Sequence, residues 1–312
     1  MTARPAPLPQ LDGGLWIADG GLETTLLFLD GIDLPHFAAF PLVETEDGRA
    51  VLNRYYQPYI DLAESRGLGI VLDTPTWRAS LDWGAQLGYD PARLESVNRR
   101  AVRLVAALLT GRAARSVVSG AVGPRGDGYV VGATMSILEA TGYHRMQARA
   151  FAAAGADMMT AVTMNYVEEA IGVASAATEA GLPVVVSFTV ETDGRLPSGM
   201  KLGEAISVTD AATDGAAAYF MVNCAHPTHF AGTLDEGGDW IQRVRGIRAN
   251  ASALSHAELD QATELDRGDP ADLADRYRRL RTSVPSLAVV GGCCGTDHEH
   301  IQLIATALAT PN

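Results

Sequence analysis

Residues 151–190 read FAAAGADMMTAVTMNYVEEAIGVASAATEAGLPVVVSFTV and contain a strand, a helix and a second strand. The apolar run Asp157–Thr163 predicts the first strand, and the alanine-rich stretch Glu168–Ala180 has the spacing of a helix. The run Val184–Val190, rich in β-branched residues, predicts the second strand. Two strands joined through a helix are expected to lie parallel in one sheet.

The same alternation extends along the chain in both directions. The eight predicted strands are Leu15–Ala18, Gly69–Leu72, Ser116–Val122, Asp157–Thr163, Val184–Val190, Ala217–Asn223, Val244–Ala249 and Leu287–Gly291. Helical spacing is clear in the intervals Leu94–Leu109, Tyr143–Ala154, Glu168–Ala180 and Leu273–Arg281. Gly67, Gly155 and Gly181 stand where a helix gives way to the next strand, which is typical of C-cap glycines.

Eight such units in 312 residues predict an α/β fold of the (β/α)8 class, a TIM barrel that forms one domain over residues 1–312. The alternative is an open doubly wound sheet, which would carry a phosphate-binding turn after strand 1. The sequence there, Asp19-Gly20-Gly21-Leu22-Glu23, lacks the Gly-x-Gly-x-x-Gly spacing. Residues 1–10, with three prolines, are expected to form a loose N-terminal arm.

The composition argues against several classes of protein. A formal net charge of −13, without a Lys/Arg cluster, argues against nucleic acid and anionic membranes as partners. No apolar run approaches the ~18 residues of a membrane span, and the N-terminus lacks the pattern of a secretory signal. We therefore expect a cytoplasmic protein that acts on small molecules, and the sequence leaves open whether it forms homo-oligomers.

Cys224, Cys293 and Cys294 are the three cysteines of the chain. An odd number with two adjacent members does not fit a disulfide framework, although a lone cysteine usually packs as a small hydrophobe. All three follow predicted strands, at the end of the barrel where active sites lie. Three thiolates suit zinc and leave its fourth position for substrate. The glycines expected to permit unusual backbone angles around the adjacent pair are Gly291, Gly292 and Gly295.

Four motifs give the chain a resemblance to the homocysteine S-methyltransferases over nearly its whole length. They are Asp19-Gly20-Gly21, Gly120-Ala121-Val122-Gly123-Pro124, Asn223-Cys224-Ala225-His226-Pro227 and Gly291-Gly292-Cys293-Cys294-Gly295-Thr296. The resemblance implies a zinc-dependent (β/α)8 barrel whose three cysteines bind the metal. It also implies transfer of a methyl group from S-methylmethionine, S-adenosylmethionine or betaine to a zinc-bound thiolate, by default that of homocysteine, which gives methionine.

The resemblance also suggests substrate-binding residues. Asp19 would hold the amino group of the acceptor, beside Gly20 and Gly21. No segment resembles the cobalamin and folate modules of large methionine synthases, so we expect a sulfonium donor that binds directly. Trp77 and Trp83 could face the positive charge of that donor, and simple packing of the two rings is the alternative.

One position departs from the family. Where the family carries a glutamate that contacts the amino group of homocysteine, this chain has Val162. A valine neither accepts a hydrogen bond nor balances an ammonium, so other groups orient the acceptor or the acceptor is a different thiol. Polar residues expected to replace the glutamate or to line the site are Thr163, Asn165, Glu191, Asn223 and Asn250. Glu191 is the first choice, against the alternative of a solvated loop charge.

Histidines near the cysteines are expected in supporting roles. His226 and His229 lie close to Cys224, but three thiolates already fill the protein positions of a catalytic zinc site. His298 and His300 are expected at the start of the last helix, with Thr296 or Asp297 as its N-cap.

Two other functions would use the same cysteines. A zinc hydrolase would activate water, but three thiolates make the metal a poor Lewis acid. A non-catalytic zinc store or thiol sensor would have a closed site with four protein ligands.

Overall fold

The computed structural model describes residues 8–309 and shows eight parallel strands closed into a barrel. The strands are β1 (Trp16–Ala18), β2 (Gly69–Asp73), β3 (Ser116–Val122), β4 (Met158–Met164), β5 (Val184–Phe188), β6 (Ala217–Asn223), β7 (Val244–Ala249) and β8 (Val289–Gly292). Each strand pairs with the next along the chain, and β8 pairs with β1 to close the barrel. The predicted (β/α)8 fold is confirmed, with strand ends that differ from the expected ones by at most two residues.

A helix follows every strand. The main helices are α1 (Glu46–Arg66), α2 (Pro91–Leu109), α3 (Ile137–Ala154), α4 (Val167–Ala180), α5 (Leu202–Thr213), α6 (Pro227–Asp235), α7 (Pro270–Ser283) and α8 (His298–Ala309). Short helical segments lie in the loops at Pro9–Leu11, Leu22–Thr24, Thr25–Leu29, Pro35–Phe37, Phe40–Glu44, Leu81–Gln86, Asp239–Arg243 and His256–Asp260. Gly67, Gly155 and Gly181 end α1, α3 and α4 in the left-handed conformation, with φ of 63°, 84° and 75°, as the sequence predicts.

The strands are buried on both faces, because helices cover the outside of the barrel and side chains fill its interior. The larger apolar cluster lies between strands and helices, and includes Ile17, Phe151 and Tyr277. A smaller cluster around Trp16 and Tyr219 fills the inside of the barrel. This packing makes the barrel a rigid frame for the loops that follow the strands.

The segment just before β1 closes the barrel at the end opposite the cysteines. Leu8 and Gln10 are buried, and Gln10 Nε2 donates a hydrogen bond to Tyr219 Oη at 3.3 Å. The expectation of a loose arm is therefore wrong for residues 8–10, since an apolar and a polar side chain both find partners beneath the strands. The rest of that expected arm, residues 1–7, lies outside the described residues.

Among the described residues, no helix is long and apolar enough to cross a membrane.

Candidate metal centre and active site

The three cysteines meet at the carboxyl end of the barrel. Cys224 follows β6, and Cys293 and Cys294 follow β8. The sulfurs of Cys224 and Cys294 lie 3.6 Å apart, and all three sulfurs lie within 4.8 Å of one another. Sulfurs bound at about 2.3 Å to one tetrahedral ion would be separated by about 3.8 Å. The geometry therefore fits three ligands of a single metal ion.

The glycines around the cysteine pair serve different purposes. Gly295 has a positive φ of 80°, which a side chain rarely tolerates. Gly291 and Gly292 have ordinary φ values, so the expected role in backbone angles holds for Gly295 alone. A Cβ at Gly292 would lie 1.9 Å from Thr296 Oγ1, and one at Gly291 would lie 2.8 Å from the Cβ of Ala18. These two glycines are required by close packing.

The three cysteines lie too close together to be deprotonated at the same time without a cation. Hydrogen bonds from Cys224 and Cys294 lower the pKa of Cys293 well below its usual range, and Arg248 contributes to this. The pKa of Cys224 is raised well above its usual range, because it lies beside Cys293 and Cys294 and is buried. Thiols this close cannot all lose their protons without a compensating charge. A divalent metal ion would supply that charge.

Tyr129, in the loop after β3, lies against the cysteines. Its hydroxyl is 2.9 Å from Cys224 Sγ and 3.6 Å from Cys294 Sγ. Its ring stacks on His256, with 4.0 Å between the ring centroids. Burial, together with the cysteines, raises the pKa of Tyr129 well above its usual range, so the hydroxyl keeps its proton and can donate to a sulfur. Tyr129 was not predicted, because no local sequence pattern marks it.

Glu191 lies away from the position for which it was predicted. Its Oε1 is 3.1 Å from Nδ1 of His256, whose Nε2 donates to the carbonyl oxygen of Cys224 at 2.8 Å. Glu191 does not line the cavity above the cysteines. Its contacts instead support His256, and through it the loop that carries Cys224.

Arg248, the penultimate residue of β7, is buried below the cysteines. Its guanidinium pairs with Asp19, at 2.5 Å from Oδ1, and with Asp73 Oδ2. Its Nε donates to the carbonyl oxygen of Gly292 at 3.1 Å, directly before Cys293. Asp19 Oδ2 also accepts a hydrogen bond from Tyr55 at 3.0 Å. Burial raises the pKa of Asp19 to about 6, with Arg248 opposing, so Asp19 is ionised at neutral pH.

The ion triad Asp19–Arg248–Asp73 ties three strands together at the floor of the site. A charged residue near the end of an apolar strand is the signal that could have revealed Arg248, since a buried arginine almost always has a partner. Its two partners are 229 and 175 residues away in the chain, so no local pattern identifies them.

Thr163 and Asn223 hold each other at the ends of β4 and β6. The amide of Thr163 donates to Asn223 Oδ1 at 2.9 Å, and Asn223 Nδ2 donates to Thr163 Oγ1 at 2.8 Å. Ser187 Oγ donates to the same Asn223 oxygen at 2.6 Å. Thr163 has φ of 64° and Cys224 has φ of 56°, both in the left-handed region. This region is uncommon for non-glycine residues and especially for β-branched ones.

A cavity of about 390 Å³ opens above the cysteines. The predicted site residues that line it are Asp19, Gly20, Gly21, Trp77, Thr163, Asn223 and the three cysteines. Val162 lines it too, and Asn165 does not: its Nδ2 donates to the carbonyl oxygen of Asp127 at 2.9 Å. Asn250 is also buried outside the cavity lining.

The indoles of Trp77 and Trp83 already face a cation of the protein. The guanidinium of Arg78 lies 4.5 Å from the ring centroid of Trp77 and 3.6 Å from that of Trp83. Trp77 and Arg78 line the cavity, whereas Trp83 does not. Arg78 was not predicted, although an arginine between two tryptophans in a loop after a strand is a signal that could have identified it.

The histidines near the cysteines have other partners. His226 Nδ1 lies 2.8 Å from Thr228 Oγ1, and His229 Nε2 donates to the carbonyl oxygen of Ala253 at 3.0 Å. His300 Nδ1 lies 2.8 Å from Asp297 Oδ1. The Asp297 carboxylate accepts from the amide of Glu299 at 3.1 Å, and α8 begins at the next residue after Asp297, as predicted.

Comparisons with known proteins agree with the geometry. A family model described as Homocysteine S-methyltransferase matches residues 16–308. Homocysteine S-methyltransferase 4 from Zea mays is 24% identical over 318 residues, which cover 95% of this chain and 90% of that protein.

Two solved structures of the homocysteine methyltransferase MmuM from Escherichia coli share the fold. The oxidized form has a TM-score of 0.76 and 21% identity, and the metallated form has a TM-score of 0.75 and 20% identity. Each comparison covers 95% of this chain and 97% of the other. The family match extends over the whole barrel and includes all three cysteines. The chain therefore belongs to the homocysteine S-methyltransferase family and is a methyltransferase.

Proposed function

We propose that this protein is a zinc-dependent S-methyltransferase that moves a methyl group from a sulfonium donor to the thiolate of homocysteine and forms methionine. The observation that carries the proposal is the convergence of three cysteine sulfurs within 4.8 Å at the floor of an open cavity. Three protein ligands leave one position of a tetrahedral ion for the acceptor, which a closed storage site would not.

Zinc is the metal that we infer from the donor set. Three thiolates select a soft or borderline ion, and zinc accepts tetrahedral sulfur ligation without redox chemistry. When bound, it would supply an acceptor thiol that is deprotonated at neutral pH. The same three anionic ligands make the ion a poor Lewis acid for water, which disfavours the hydrolase alternative.

The protein's own residues orient the reaction. Cys224, Cys293 and Cys294 fix where the acceptor sulfur lies, and the Arg248 triad fixes the backbone before Cys293. The acceptor sulfur forms a new bond to the methyl carbon while the bond from that carbon to the sulfonium sulfur breaks. The donor leaves as a neutral thioether, and the proton of the acceptor thiol passes to solvent. In-line alignment of the two sulfurs in the cavity is then the main contribution of the protein.

We infer S-methylmethionine or S-adenosylmethionine as the donor. A sulfonium carries its own positive charge and leaves as a stable thioether, so no further cofactor is required. The cavity of about 390 Å³ has to hold the donor and the acceptor side by side.

The test is a metal analysis and a methyl-transfer assay on the purified full chain. We expect about one zinc per chain, and labelled methionine when homocysteine is mixed with one of the two donors. Cys294→Ser is expected to lower zinc content and to reduce kcat/KM more than about 100-fold. Loss of a residue that only hydrogen-bonds to a metal ligand typically costs about 10- to 100-fold, so loss of a ligand should cost more.

Ala262→Ser is the matched control, because residue 262 also lines the cavity but is exposed and apart from the cysteines. It adds a hydroxyl at the rim and is expected to keep zinc and activity. Full methyl transfer by metal-free Cys294→Ser protein would defeat the proposal.

A further inference from the structure

Two side chains of opposite charge, Glu23 and Arg78, line the cavity without an ion-pair partner among the described residues. Glu23 lies in the short helix Leu22–Thr24, directly after the glycines that follow β1. Arg78 lies in the loop after β2. Each is close enough to affect the charge state of the other, although no hydrogen bond joins them.

The other charged groups at the floor of the cavity are already engaged. Asp19 accepts hydrogen bonds on both carboxylate oxygens, from Arg248 and from Tyr55. Asp73 forms an ion pair with Arg248 through Oδ2, and its Oδ1 is buried without a hydrogen-bond partner. The resemblance to the family places the substrate ammonium at Asp19. There it would lie beside the positive charge of Arg248.

Glu23 lies beside the cysteines. Burial raises the pKa of Glu23 to about 7, and the charges of Cys293 and Asp19 add to this effect. Thr24, the next residue, accepts on Oγ1 a hydrogen bond from the amide of Gly295 at 3.2 Å, which holds the turn of Glu23 against the loop that carries Cys293 and Cys294. A cation held between Glu23 and the cysteines would relieve the repulsion between these negative groups.

The environment of the Arg78 guanidinium favours binding of an anion. Its guanidinium lies over the ring of Trp83, 3.6 Å from the centroid, and 4.5 Å from that of Trp77, so the two rings restrict its orientation. Its Nε is buried and has no hydrogen-bond partner. Burial lowers the pKa of Arg78 while Asp127 and Glu23 oppose this, and no carboxylate among the described residues forms an ion pair with the group. Arginine held flat in this way matches the two oxygens of a carboxylate.

We propose that Glu23 binds the α-ammonium and Arg78 the α-carboxylate of the amino acid whose sulfur enters the cysteine cluster. This inference rests on the proposed function and names the residues that select an amino-acid thiol. It explains why this chain can have Val162 where the family has a glutamate. The carboxylate that balances the ammonium comes from Glu23, in the loop after β1, instead of from β4. It also makes a simple alkyl thiol a poor acceptor.

Binding of the reaction product tests the pair without requiring methyl transfer. We would measure Kd by calorimetry for L-methionine, for 4-(methylthio)butanoic acid, which lacks the ammonium, and for 3-(methylthio)propylamine, which lacks the carboxylate. The wild-type chain, purified with its metal, is expected to bind methionine about ten- to a hundredfold more tightly than either analogue, as for loss of a charged hydrogen bond.

The variants should lose affinity selectively. Glu23→Gln is expected to weaken methionine binding by about tenfold or more and to leave 4-(methylthio)butanoic acid unchanged. Arg78→Gln is expected to weaken methionine binding similarly and to leave 3-(methylthio)propylamine unchanged. Glu264→Gln, at the exposed rim of the same cavity, and Arg245→Gln, near the start of β7, are the matched controls.

The outcomes separate the two proposals. If wild-type protein binds methionine no more tightly than the two analogues, or if both variants bind methionine as wild type does, the assignment of Glu23 and Arg78 is wrong. Selective methionine binding without methyl transfer to any thiol would instead overturn the proposed function and leave this pair in place. The wild-type comparison remains decisive even if a variant folds poorly.

Discussion

Tyr129 shows how a single hydroxyl can support the cysteine cluster. Its oxygen lies within hydrogen-bonding distance of two sulfurs, and its ring is held by His256. Hydrogen bonds to metal ligands hold them in position and adjust their basicity. The loop after β3 therefore contributes to the candidate metal centre without providing a ligand.

Replacing Tyr129 by phenylalanine should weaken metal binding while leaving the fold unchanged. We expect Tyr129→Phe to raise the Kd for zinc by about tenfold, because the sulfurs lose a hydrogen-bond donor. Competition with a chromophoric chelator measures this value. Tyr143→Phe is the control, since that hydroxyl bonds to Ser80 and not to a cysteine. Equal zinc affinity in wild type and Tyr129→Phe would contradict the role assigned to this hydroxyl.

At the scale of elements, the strands and helices of the barrel could be predicted from the sequence, but the residue contacts at the floor of its site could not. The apolar runs and the glycines that end helices are local signals, so strands such as Ser116–Val122 were predicted with their observed bounds. The Arg248 triad and the contact of Tyr129 with Cys224 depend on the closure of the barrel. Chain spacing carries no information about such contacts, and the cysteines were found because each follows a strand.

The start of α8 gives a pH prediction at this scale. His300 and Arg267 hold the pKa of Asp297 well below its usual range, although burial opposes them. A lowered pKa stabilises the fold above the unfolded pKa of aspartate, and this contribution is lost as the pH falls through the folded value. Asp297→Asn is expected to destabilise the protein by about 1–2 kcal/mol at pH 7.

Thermal denaturation at a series of pH values checks this prediction. The difference in Tm between wild type and Asp297→Asn should shrink as the pH falls below about 4, the usual aspartate range. Asp90→Asn, at the exposed N-cap of α2, serves as a control for loss of a capping carboxylate. A Tm difference independent of pH would show that the Asp297 charge does not stabilise α8.

For the whole molecule, the candidate metal centre joins parts of the chain that are 70 residues apart. An ion that binds the folded chain alone stabilises it, by about 4 kcal/mol when its concentration is 1,000 times Kd. Zinc is therefore expected to raise the Tm of the wild-type chain by several degrees. Cys224→Ser should show a much smaller rise, which scanning calorimetry with and without zinc would measure. An equal rise in both proteins would place the stabilising ion elsewhere.

Thr163 and Cys224 also have a consequence for engineering this enzyme. Both residues hold backbone conformations that glycine would adopt more easily, and Asn223 bonds directly to Thr163. Glycine at position 163 would relieve this conformational cost, but it would also leave the buried Nδ2 of Asn223 without its hydrogen-bond acceptor. The same hydroxyl fixes Asn223 beside the cysteines, so a variant that relaxes the backbone at this position is expected to lose turnover.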